Sequence, residues 1–71
     1  MQHSTAKALM NCMEEIGQAF NRATVIVEEI ESADEQRELR QELGGVISHV
    51  IDITGKIVGR FPDLDPDKDS A

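Results

Sequence analysis

Apolar residues recur in this chain at alternating steps of four and three, but in two runs that are out of phase with each other. The first run is Leu9, Met13, Ile16, Phe20, Ala23, Val27 and Ile30; the second is Leu39, Leu43, Val46, Val50, Ile53 and Ile57. Such spacing lays each run along one face of a helix. If a single helix carried both, the first stripe would continue through Asp34, Arg37, Gln41 and Gly44, a set no buried face accepts. The chain therefore has to turn back on itself between the runs.

The turning point is marked by Ser32, followed three residues later by Glu35. This is a capping box, in which each residue satisfies a free backbone N–H at a helix start. Asp34 and Glu35 also bring negative charge to the first turn, where the helix dipole favours it. The expectation is an antiparallel helical hairpin over residues 1–61. Its first helix runs from about 5 to 31, capped by Ser4 or Thr5, with a turn at about 31–33 and a second helix at about 33–60. Pro62 ends that helix, since proline lacks an N–H and disfavours helical geometry at Phe61. Residues 62–71, "PDLDPDKDSA", are charged, proline-containing and almost free of apolar side chains, the composition of a disordered acidic tail.

One stretch competes with the helical reading. Residues 44–61 are rich in β-branched side chains and contain Gly44, Gly45, Gly55 and Gly59, each costing about 1 kcal/mol in a helix relative to alanine. A first helix plus a C-terminal β-hairpin turning at Thr54–Lys56 is the alternative fold. Strict alternation fails there, however: one strand face would read Val46, Ser48, Val50, Asp52 and the other Ile47, His49, Ile51, Ile53. The helical template fits better and keeps the fold all-α.

Size then argues for a second chain. A domain of 71 residues buries only about 60% of its unfolded surface, and such a core supplies roughly 3–5 kcal/mol unless something staples it. Cys12 is the only cysteine, so no intrachain disulfide forms, and the reducing cytoplasm is the expected compartment. His3 and His49 stand at no zinc-like spacing from Cys12, which leaves oligomerisation. The apolar faces are also too wide for a lone hairpin. A second stripe, Ile47, Ile51, Thr54, Val58 and Phe61, runs beside the second seam. The first seam is flanked by Met10, Gly17 and Thr24 on one side and by Cys12, Ala19 and Ile26 on the other. Two hairpins packed as a homodimeric four-helix bundle would cover such faces.

For function the sequence mostly excludes. Fourteen acidic against seven basic side chains give a net charge of −7, which repels phosphate backbones and anionic lipid. No apolar run is long enough for a membrane span or a signal peptide. "TGK" at residues 54–56 lacks the other elements of a phosphate loop: Val50 stands where its first glycine belongs, and no Ser or Thr follows Lys56. Cys12 has no histidine obliged to meet it, and the Glu-x-x-His spacing of di-metal bundles is missing. The reading is a non-enzymatic interaction or regulatory protein with no cofactor, which binds itself and a protein partner. The partner surface is expected at the outer part of the second stripe, Ile51, Val58 and Phe61.

The turn "SADEQ", the leucines Leu39 and Leu43, and the ending "GRFPDLD" together resemble the Rop (Rom) family of plasmid copy-number regulators. Those are short acidic chains whose helical hairpins dimerise into an antiparallel four-helix bundle that binds paired RNA loops. The resemblance covers about residues 5–65 and implies an alternative function, RNA binding by the first helices. The comparable outer positions here carry Lys7, Asn11, Gln18 and Arg22, with Asn11 matching a family amide. Glu15 stands where the family's functional aromatic falls, and one residue more occupies the turn.

Overall fold

The computed structural model describes residues 1–66. Two long helices, α1 (His3–Val27) and α2 (Ala33–Arg60), are followed by a single 3₁₀ turn at Pro62–Leu64. No strand occurs among the described residues, so the β-hairpin alternative falls. The glycines of residues 44–59 lie inside α2, and none has a positive φ.

The start of α2 is where the capping box places it. Ser32 is the N-cap, with extended backbone, and its Oγ accepts a hydrogen bond from the Glu35 backbone N–H at 3.3 Å. Asp34 and Glu35 occupy the first turn. The helix ends as Phe61 swings to φ −133° and ψ 76° while its N–H still reaches the Ile57 carbonyl at 2.9 Å. Pro62 then opens the 3₁₀ turn.

Both ends of α1 differ from the expected 5–31. The helix begins at His3 behind Gln2, with no side-chain cap, so Ser4 and Thr5 lie within it. It closes at Val27, four residues early. The N–H groups of Glu28, Glu29 and Ile30 bond to carbonyls three residues back, at 3.2, 3.0 and 3.1 Å, the tightened winding of a 3₁₀ exit. The cause is electrostatic. Glu28, Glu29 and Glu31 crowd the negative end of the helix dipole, and no basic residue stands in the last turn to offset them. The connection therefore occupies residues 28–32 instead of 31–33. Gln36 ties it together, donating from Nε2 to the Val27 carbonyl at 3.3 Å.

The tail also departs from its expected form. Residues 62–66 are folded against the helices: Leu64 and Asp65 are half-buried, and Nε2 of His3 lies 2.6 Å from Oδ2 of Asp63. The reason is that the 3₁₀ turn after Phe61 brings Leu64 back to a crevice walled by Met10 and Met13, which gives it a hydrophobic seat. Residues 67–71 lie outside the described residues.

Two helices side by side make a single layer, and a layer has little interior. Among the described residues only Ala6, Val27 and Ile57 are buried. The line facing α2 on α1 is Ala6, Met10, Met13, Gly17, Phe20, Thr24 and Val27, all buried or half-buried. Its counterpart is Gln36, Leu43, Ile47, Val50, Thr54, Ile57, Phe61 and Leu64. The first steps by fours and threes throughout and the second does so from Leu43 on, as helices packed along their length require.

Candidate functional site

The hydrogen bond between Gln36 and Val27 fixes the register of the hairpin. Since each helix rises equally per residue, counting away from that level sets Phe20 beside Leu43, Met13 beside Val50 and Ala6 beside Ile57. These are the layers of the hairpin seam. One step of three around each helix lie Ala23 beside Leu39, Ile16 beside Val46 and Leu9 beside Ile53. Because the helices are antiparallel, the same rotational step on each carries these residues to the same side of the layer. They form a first broad face. On it Leu9 is 37% exposed, Ile16 38%, Ile53 40%, Leu39 42% and Val46 48%.

The opposite, second face is mixed. Near the open end of the hairpin it holds a crevice of about 540 Å³ lined by Lys7, Met10, Asn11, Met13, Glu14, Thr54, Asp63, Leu64 and Pro66. Methionines form much of its apolar wall, and the 3₁₀ turn closes one side. The His3–Asp63 pair holds that turn to the start of α1, and the His3 and Phe61 rings meet edge to face with centroids 5.5 Å apart at 79°. Both members of the pair are about half exposed, so the contact contributes little by itself. Ring packing and the seated Leu64 supply the rest.

The three residues expected to bind a partner separate. Ile51 stands on the second face, 62% exposed. Val58 is half-buried, and Phe61 is half-buried against His3. Of the positions implied for RNA contact, Lys7, Asn11, Gln18 and Arg22 are all exposed along the outer side of α1. Lys7 and Asn11 share the crevice with Glu14. Glu28, near the turn, lies 4.0 Å from Arg40 of α2. The cations of α1 are thus spaced out among carboxylates instead of gathered.

Two features escaped sequence reasoning. The first is the division of each apolar run: Met13, Phe20 and Val27 serve the hairpin, whereas Leu9 and Ile16 remain on the outside. Spacing alone treats them as equivalent. The second is the His3, Phe61 and Asp63 cluster, in which His3 stands some sixty positions from its two partners and carries no local signal. Among the described residues no group of three His, Cys, Asp or Glu side chains stands ready for a metal, and no helix is long and apolar enough to cross a membrane. No family model, no curated protein and no solved structure matches the chain.

Proposed function

We propose that this protein is a non-enzymatic interaction module: a hairpin that dimerises through its first face into a four-helix bundle and presents its second face to a protein partner. The observation that carries the reading is the first face itself. Five large aliphatic side chains at 37–48% exposure stand there in three regular layers, against only three buried residues in the whole hairpin.

Surface area supports the same reading. The chain exposes 5491 Å², whereas the scaling of surface with mass gives about 4,400 Å² for a compact monomer of 7.9 kDa. The excess, about 1,100 Å², is comparable to the roughly 800 Å² that each partner contributes to a stable interface. Dimerisation would also supply the stabilisation that a core of three residues lacks. On the second face, Ile51 and the methionine-lined crevice remain open after such pairing, and they offer apolar contact ringed by Lys7, Asn11 and Glu14.

Sedimentation equilibrium at micromolar concentration tests the first half, with a dimer expected; a stable monomer would remove the basis of the reading. Anisotropy titration against kissing RNA hairpins tests the Rop-like alternative. No binding is expected at physiological salt, because Glu14, Glu15, Glu28 and Glu29 share the outer half of α1 with its cations.

A further inference from the structure

Resting on the reading that the second face receives a protein partner, we infer that this partner is an amphipathic helix with a basic edge. It lies in the groove that runs from the methionine crevice past Gly17, its apolar stripe in the trough and a lysine or arginine beside Glu14. The groove is continuous because the second face is layered like the seam. One rotational step from the seam, in the sense opposite to the first face, His3 comes level with Phe61, Met10 with Thr54 and Gly17 with Ile47. The edge-to-face meeting of the His3 and Phe61 rings marks the first of these levels directly.

The shape of the trough selects a helix. Successive layers are seven residues apart on both walls, His3, Met10 and Gly17 on α1 and Phe61, Thr54 and Ile47 on α2, the interval at which a third helix inserts its own side chains. Gly17 supplies the hole for one of them. Glycine inside a helix costs about 0.5–1 kcal/mol relative to alanine, and a Cβ built on Gly17 meets nothing within 4 Å, so the hairpin itself gains nothing from the missing side chain. The methionine wall adapts to whatever knob enters beside it, since an unbranched thioether chain repacks readily. An extended peptide has no comparable seat, because no strand among the described residues offers an edge for pairing.

The two banks of the groove differ, and that difference sets the chemistry of the occupant. On the α2 bank stand Val58, Ile51 and Gly44, all uncharged. On the α1 bank Glu14 faces Ile51 across the trough; it is exposed and makes no ion pair among the described residues. Lys7 lies two turns away on the same bank, about 10 Å along the helix, and at the crevice it stands against two carboxylates, Glu14 and Asp63. The net charge of −7 adds a long-range attraction for a cationic segment. A helix apolar on its underside and basic along one edge therefore complements both banks. Its charge selects partner and orientation, while the apolar contact supplies most of the affinity.

Anisotropy titration of the full chain against labelled synthetic helices tests this. The probe is a peptide of about 18 residues, roughly 27 Å of helix, with leucine at the apolar heptad positions and lysine elsewhere. Its controls are the same composition scrambled and the same pattern with glutamate in place of lysine. Saturable binding of the patterned lysine peptide is expected, one per chain, with both controls at least about tenfold weaker. Gly17→Leu should abolish that binding and leave the hairpin folded by circular dichroism, as the open space at this position allows. Glu14→Lys should weaken it about tenfold and improve binding of the glutamate peptide. Equal binding of the lysine peptide and its scrambled control would reflect net charge alone and overturn the inference, and binding untouched by Gly17→Leu would remove the groove as its seat. If no peptide binds while the dimer persists and a host protein is still captured through Ile51, the inference fails and the proposed function stands. A monomer that captures nothing removes the proposed function as well.

Discussion

The two broad faces of the hairpin are built from the same helices yet differ in kind. The first is a continuous aliphatic strip of Leu9, Ile16, Leu39, Val46 and Ile53, with no charged residue within it. The second alternates: a methionine-lined crevice, then Gly17 and Ile47, then exposed Ile51, bordered by Lys7 and Glu14. A uniform strip suits a permanent partner, because permanent interfaces resemble a core cut in half. A patch of apolar knobs among charges suits a partner that comes and goes, since the charges keep the unoccupied surface wetted. On the proposed function, the hairpin would separate assembly from recognition by giving each its own side of one layer.

The largest expected effects are on the first face and the seam beneath it. Phe20 is only half-buried in the hairpin. If a second copy covers it, Phe20→Ala should cost about 3–5 kcal/mol in chemical denaturation, the usual range for a fully buried phenylalanine. A cost near 1 kcal/mol would mean that nothing lies over that ring. Val46→Asp, at the centre of the strip, should yield monomers, because one carboxylate per chain would have to be desolvated next to its own copy. A Val46→Asp protein that remained dimeric would move the interface to the other side.

On the second face the same chemical change should have the opposite outcome. Ile51→Asp is expected to leave the dimer and its denaturation midpoint nearly unchanged, as surface substitutions usually do, and to abolish capture of a protein partner in a pull-down from the native host. Ile51 is the sharper probe. Val58 is half-buried, so charging it would disturb the hairpin as well as any partner. Loss of dimerisation on Ile51→Asp would erase the distinction between the faces.

How much of this was written in the sequence follows from the range over which each feature acts. The hairpin, the start of α2 and its end depend on neighbours within four residues: two seams out of phase, Ser32 with Glu35, and Pro62. They were legible. The early end of α1 could also have been read, because Glu28, Glu29 and Glu31 oppose the helix dipole, but the apolar periodicity through Ile30 outweighed that sign. The division of each seam into an inner half and an outer half was not legible. Seam residues face the space between two neighbouring helices, and only the hairpin's geometry shows which half its own neighbour fills. The folded state of residues 62–66 was hidden for a similar reason. Leu64 reads as one apolar residue in an acidic tail until the 3₁₀ turn is seen to bring it back beside Met10 and Met13.

That seating gives an effect of intermediate size. Deleting residues 62–71 should lower stability by about 1–2 kcal/mol, the contribution of a partly buried leucine, with the His3–Asp63 pair adding little. Leu64→Ala alone should account for most of the loss in a urea melt. Equal loss from His3→Ala and none from Leu64→Ala would shift the weight to the ring contact and the His3–Asp63 hydrogen bond. Neither change should affect dimerisation, because both act on the second face.

The smallest expected effect tests whether anything else lies against the solvent side of α2. Gly55 sits inside the helix without a positive φ, and a methyl group built there meets no atom within 4 Å. Nothing in the hairpin requires glycine at this position. It lies away from the first face, so the second copy proposed here would not reach it either. Gly55→Ala should therefore remove backbone entropy from the unfolded chain at no steric cost, raising stability by about 0.5–1 kcal/mol. The dimer and the binding lost through Ile51→Asp should both be retained. If Gly55→Ala instead weakened partner capture while raising the melting temperature, the recognition surface would extend around α2 beyond Ile51, and the added methyl would be standing where a partner's backbone makes its closest approach.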